Sequence, residues 1–187
     1  MEKPKIAFDV NFFIFRRRCR HQRGRKEPVC RWVDGWEELV KRGDAEVVMP
    51  SGVVEVLADQ NLKRGMDPSA GLEGFDGEEK YLGPVIRWMR EFSSPEFKAC
   101  LRRLREYGAD KHLIEECSRM IDREDLAIYA QASVAGADYI VTGDRAWEKC
   151  EDYFKLACIC ASSVGDELVR CGTKMPKVTP LSKPPKT

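Results

Sequence analysis

Asp138-Tyr139-Ile140-Val141-Thr142-Gly143-Asp144-Arg145 is the stretch that decides the fold. An aromatic residue and three β-branched ones run into a Gly-Asp turn, which reads as a buried strand ending at an edge. Immediately upstream, Glu124-Asp125-Leu126-Ala127-Ile128-Tyr129-Ala130 reads as a helix. Asp122 is its N-cap, and Asp125 at N3 imitates a capping box. Near the start of the chain Lys5-Ile6-Ala7-Phe8 is another short buried strand, and it stops at Asp9. Glu46-Val47-Val48-Met49 is a second strand, after which Pro50-Ser51 opens a helix carrying Val53, Val54, Glu55 and Leu57.

Strands that alternate with helices imply an α/β fold, a three-layer arrangement of a parallel sheet flanked by helices. The other assignments follow from local signals. Trp32 to Arg42 reads as a helix with Asp34 as N-cap and Gly43 as its stop. Residues 60–77, with Gly65, Pro68, Gly71, Gly74 and Gly77, read as loop. From Glu78 to Met120 the apolar spacing is helical, broken at Ser93-Ser94-Pro95 and at Gly108. Leu156 to Cys160 reads as a fourth strand and Ser163 to Cys171 as a last helix. One domain then spans residues 1–172, with a helical insertion over about 60–121. Residues 173–187 hold four prolines and four lysines and read as a disordered basic tail.

The bulk numbers fit one domain. A chain of 187 residues, 43% hydrophobic and 34% charged, has the composition of an ordinary soluble globular protein. Its formal net charge of +1 hides a strong local asymmetry and by itself names no partner. No apolar run approaches the roughly 18 residues that a membrane helix needs, and Asp9 interrupts the first apolar stretch. The expectation is a cytoplasmic protein without membrane association. The eight cysteines form no Cys-x-x-Cys pair, so they carry no strong zinc signature and read mostly as small buried hydrophobes. Only two Asn and three Gln accompany the high charge, a composition resembling that of hyperthermophiles, which keep intracellular disulfides.

The chemistry lies in the acids. Ligands of open α/β sheets bind outside the carboxyl ends of the strands. Asp9 follows the first strand, Glu55 lies near the start of the helix after the second, and Asp144 follows the third; Asp125 opens the preceding helix. Two carboxylates about 4 Å apart repel by roughly 4 kcal/mol at an effective dielectric near 20. A hard divalent cation offsets that cost, and oxygen ligands suit Mg²⁺ or Mn²⁺. Such ions activate water and stabilise the leaving oxygen of a phosphodiester. With only His21 and His112 present, a histidine-based nuclease is poorly supplied.

Ile6-Ala7-Phe8-Asp9-Val10-Asn11, Ser51-Gly52-Val53-Val54-Glu55-Val56-Leu57, Glu124 to Ala130 and Asp138 to Arg145 together resemble the PIN-domain motifs in their usual order. The resemblance runs from about Lys5 to Ser163 and implies a PIN-like sheet of order close to 3-2-1-4-5. It implies a ribonuclease that cuts RNA with a metal-activated water. Asp9, Glu55, Asp125 and Asp144 would hold Mg²⁺ or Mn²⁺, while Asn11 and Thr142 would support them by hydrogen bonds. Ala146 stands where many members of the toxin branch carry a further acid.

Plainer roles exist for each acid. Asp125 serves as a capping residue, Asp144 as a turn residue, and Glu55 as a helix-start acid favoured by the dipole. Asp9 has no evident capping role. Arg16, Arg17, Arg18, Arg20, Arg23, Arg25 and Lys26 place seven cations in eleven residues without an acid. That run either grips RNA phosphates or is a solvated loop. Phe12 to Phe15 belong to the core or to a homodimer surface, and an antitoxin is another protein partner left open. Trp32 and Trp36, four apart on a helix, read as packing residues before base-stacking ones. A non-cleaving scaffold that binds RNA or protein is one alternative function. A haloacid-dehalogenase-like phosphatase is another, but its Asp-x-Asp is here Asp9-Val10-Asn11 and its later pair is Asp144 and Glu148.

Overall fold

The computed structural model describes residues 2–21, 27–75, 89–106, 108–164 and 174–183. Its centre is a four-stranded sheet, β1 (Lys5–Phe8), β2 (Glu46–Val48), β3 (Tyr139–Thr142) and β4 (Lys177–Pro180), in the spatial order β2-β1-β3-β4. All three pairings are parallel, with Ala7 opposite both Val48 and Ile140, and Val141 opposite Thr179. Ile6, Ala7, Phe8, Ile140 and Val141 are buried, as strands covered on both faces require.

Eight helices are described around this sheet: α1 (Val10–His21), α2 (Pro28–Lys41), α3 (Ser51–Lys63), α4 (Pro95–Glu106), α5 (Lys111–Met120), α6 (Arg123–Val134), α7 (Arg145–Lys149) and α8 (Glu151–Val164). Their starts follow local chemistry. Asp110 caps α5 by accepting from the His112 and Leu113 amides. Asp122 caps α6 by accepting from Glu124 and Asp125, and the Asp125 carboxylate returns a bond to the Asp122 amide, completing the capping box. Pro28 sits at the start of α2, whose N-cap is Glu27, so Asp34 lies inside the helix and caps nothing. Gly43 does terminate that helix, at φ 68°.

Other expectations are corrected. Leu156 to Cys160 is the middle of α8, not a strand. The fourth strand comes instead from the Pro/Lys-rich tail, and residues 174–183 are tied in by side chains. The Trp36 indole donates to the Leu181 carbonyl at 2.9 Å, Tyr129 Oη to Pro176 at 2.8 Å and Ser133 Oγ to Lys174 at 3.0 Å. Within the expected loop of residues 60–77, α3 continues to Lys63, and the turns that follow press Phe75 into the cluster of Phe8, Phe12 and Phe13. The expected last helix lies largely outside the described residues; Ser163 and Val164 end α8. The expected helical stretch from Glu78 lies outside them as far as Trp88.

Cysteine usage is also corrected. Cys19–Cys30, Cys100–Cys160 and Cys117–Cys150 are disulfides, joining α1 to α2, α4 to α8, and α5 to the turn between α7 and α8. Cys158 is buried; Cys171 lies outside the described residues.

Candidate functional site

The strand order reverses between β1 and β3: the chain leaves β1 for β2 on one side and returns to β3 on the other. The carboxyl edge at such a switch point is where α/β sheets bind ligands. Asp9 stands there. Its amide donates to the Val141 carbonyl at 2.9 Å, which prolongs the β1–β3 ladder and sets the carboxylate beside Thr142.

Three donors hold that carboxylate. Asp9 Oδ1 accepts from its neighbour's amide, Val10 N, at 2.6 Å, and Oδ2 accepts from Asn11 Nδ2 and Thr142 Oγ1, each at 3.0 Å. Asp9 is only 2% exposed, and burial pushes its carboxyl above the usual range against the pull of these bonds. The Thr142 hydroxyl also accepts the Asp144 amide at 2.9 Å. Asp144 in turn caps α7, accepting from Ala146 N at 2.8 Å.

Asp125 is the second pole. Burial first, then the charges of Asp122 and Asp9, raise its pKa from 3.8 to about 8. The buried Trp147 indole N–H also favours its charged form, yet forms no hydrogen bond that meets ordinary geometry. Glu124, one residue earlier, is raised by burial and then by Asp122, Asp59 and Asp9, with Lys63 opposing. Sequence reading had named Asp125 and missed Glu124. The signal was present, since a helix start with two consecutive acids can turn both towards one edge.

The four expected acids are thus placed unequally. Asp9 and Asp125 act on each other electrostatically, and Asp144 is joined to Asp9 through Thr142. Glu55 lies half-buried in the second turn of α3, one turn before Asp59. The start of that helix is clamped to α6, because Gln131 accepts the Gly52 amide at 2.9 Å and donates to Ser51 Oγ at 3.0 Å. Among the described residues no group of three or more His, Cys, Asp or Glu side chains is arranged to hold a metal ion. The donor chemistry nevertheless suits a hard cation: the donors are carboxylate oxygens, and Asp125 is held protonated by burial and by the charges of Asp122 and Asp9.

The basic run divides. Arg16 is 2% exposed; it pairs with Glu37, donates to the Gly71 and Glu73 carbonyls, and lies over the Phe75 ring at 4.5 Å. Arg17 is also buried and donates to Asn61 Oδ1. These two guanidiniums tie α1 to α2, to the last turn of α3 and to the turns after it, and are not available to phosphates, which corrects their assignment to RNA. Arg18 pairs with Glu27 and Arg20 with Glu73 near the surface. Arg23, Arg25 and Lys26 lie outside the described residues.

A cleft of about 250 Å³, which meets the acid edge at Thr142, opens between Phe15, Trp32, Gly143, Arg145, Glu148 and Leu181. Gly143 admits the Phe15 ring, since a Cβ there would meet Phe15 Cε2 at 2.6 Å. The expected tryptophan pair separates here: Trp36 is 1% exposed and packs, whereas Trp32 is 36% exposed and lines the cleft. No family model matches the chain, and neither a curated protein nor a solved structure shows significant similarity to it.

Proposed function

We propose that the protein is a PIN-like, Mg²⁺- or Mn²⁺-dependent endoribonuclease acting at the carboxyl edge between β1 and β3. The observation that carries this reading is Asp125, pushed up to about 8 by burial and by Asp122 and Asp9. Burial is the larger cause and the neighbouring carboxylates the next, and a cation would relieve the second of these. Asp9, Asp125 and Asp144 are the residues that would hold the ion, with Glu124 beside them and Glu55 a further candidate from α3. A bound divalent ion supplies an activated water and neutralises charge on the scissile phosphate.

The chain's own residues do the rest. Asn11 and Thr142 fix the rotamer of Asp9, so its carboxylate needs no reorganisation on binding. Thr142 aligns the Asp144 turn with it. Asp125 would give up its proton to a bound cation, so loading would release acid and strengthen with pH. A cytoplasmic location belongs to this reading only in a hyperthermophile, because three disulfides otherwise require an oxidising compartment. No helix among the described residues is long and apolar enough to cross a membrane.

The test is cleavage of single-stranded RNA with Mn²⁺ and with chelator, by the wild type and by Asp9→Asn. Cleavage that needs Mn²⁺ and vanishes in Asp9→Asn supports the reading; equal cleavage by the variant rejects the site. A second reading, a scaffold that binds RNA or protein without cutting it, is favoured by the absence of three gathered acids among the described residues. It predicts no cleavage under either condition.

A further inference from the structure

We infer that the cleft between Phe15, Trp32 and Arg145 is a nucleobase subsite, receiving the base of a nucleotide next to the phosphate handled at Asp9. The inference rests on the nuclease reading and deepens it, since it says how that site recognises its substrate.

The cleft touches the acid edge through Thr142, while Asp9, Asp125 and Asp144 lie outside its lining. Thr142 lines it, and the Thr142 hydroxyl donates to Asp9 Oδ2 at 3.0 Å. A ligand in the cleft therefore lies within a nucleotide's reach of the carboxylates. Its walls suit a flat, partly polar ring. Phe15 is fixed on one side, seated against the Gly143 backbone. Trp32, on α2, lines the cleft as well and is 36% exposed. Trp36, one turn on, donates to the Leu181 carbonyl at 2.9 Å, which anchors Leu181 as a third, apolar wall.

At the mouth, Arg145 and Glu148 stand three residues apart on α7, so one helix face offers a donor fork beside an acceptor. That pairing meets the mixed edge of a base. A phosphate would be repelled by Glu148, and a purely apolar ligand would leave both charges unused. Unstacked RNA bases are held in this way, between aromatic faces and an arginine, with hydrogen bonds to their edges.

The test measures binding in chelator, so that no cutting intervenes. The probe is a labelled single-stranded oligoribonucleotide, alongside a set in which one abasic nucleotide is moved along the sequence. Trp32→Ala should weaken binding about 5- to 100-fold, the range for losing one stacked base. Trp32→Phe should restore most of the loss, and melting curves should match because the side chain is partly exposed. One abasic position should cost the wild type the same factor and cost Trp32→Ala nothing further. Unchanged affinity in Trp32→Ala, with Mn²⁺-dependent cleavage retained by the wild type, overturns the subsite and leaves the nuclease standing. Trp32-dependent binding without any cleavage keeps the subsite and overturns the nuclease. A wild type that neither binds nor cuts RNA overturns both.

Discussion

Thr142 Oγ1 donates to Asp9 Oδ2 at 3.0 Å, so a hydroxyl at the end of one strand holds a buried carboxylate at the end of its neighbour. The same oxygen accepts the Asp144 amide at 2.9 Å. Thr142→Val keeps the shape and removes both bonds. Losing a buried partner of a charged group costs about 1–3 kcal/mol. We expect the variant to melt lower by that amount and to cut RNA at least about tenfold more slowly, because Asp9 is no longer fixed. Wild-type stability and rate in Thr142→Val would show that the bonds are incidental.

Asp125 makes metal-free stability depend on pH. Its folded pKa, about 8, exceeds the ordinary aspartate value of 3.8, so between these values the folded state binds the extra proton. Stability is then greatest on the acid side and falls as pH rises from about 4 to about 8, by at most about 1.4 kcal/mol per pH unit. Asp125→Asn, which retains an oxygen for the capping bond, should flatten this dependence. Denaturant melts in chelator across that range provide the comparison; identical slopes in the two proteins would remove Asp125 as the source.

Cation binding should act through the same carboxylates. An ion that binds only the folded state adds about 2.7 kcal/mol at a hundredfold excess over Kd. Saturating Mn²⁺ is expected to raise the melting temperature of the wild type. Asp9→Asn and Asp125→Asn are expected to melt higher in chelator and to respond less to Mn²⁺. Glu124→Gln should reduce the Mn²⁺ response too, if its carboxylate belongs to the cluster. Mutants that melt lower in chelator and respond fully to Mn²⁺ would exclude a shared site.

Arg16 and Arg18, two residues apart, should behave differently. Arg16→Ala leaves Glu37 buried without its main partner, a change that costs about 3–5 kcal/mol. Arg18→Ala removes a surface pair with Glu27 worth about 1 kcal/mol or less. Only the second variant should remain well folded enough for RNA titrations. Its loss should flatten the dependence of log affinity on log salt by about 0.7 if Arg18 touches a phosphate. Equal stability losses in the two variants would contradict the burial difference.

Reduction should destabilise the protein. Closing a loop of about 60 residues is worth about 4 kcal/mol in the chain-entropy account, and Cys100–Cys160 has that separation. Cys100→Ser together with Cys160→Ser should lower the melting temperature more than the pair Cys19→Ser and Cys30→Ser, whose separation is 11. The opposite order would assign the stabilisation to local packing.

Legibility in the sequence followed the locality of the signal. β1, β2, β3 and the Asp122 cap lie in short windows whose residues state their own role, and they stand close to where they were read. Leu156 to Cys160 misled because a short, mostly buried apolar run has the same composition in a helix as in a strand. Lys177 to Pro180 misled in the other direction: prolines and lysines suggest disorder, but pairing with β3 and the bond from Trp36 hold this edge strand. In the site, Asp9 was legible from its position at a strand end, whereas Asn11 and Thr142 were named through the resemblance to PIN-domain motifs. The burial of Arg16 and Arg17 was not, because it depends on Glu37, Asn61 and Gly71, all distant in sequence. Glu124 was hidden behind its neighbour's capping role.

The bond from Trp36 to Leu181 also joins distant parts of the chain. It spans 145 residues, and the Asp9–Thr142 contact spans 133. Closure cost grows only with the logarithm of loop length, so the two contacts differ by roughly 0.1 kcal/mol. Removing residues 174–183 would therefore take two supports at once: β3 would lose its partner β4, and the Trp36 indole would lose its acceptor.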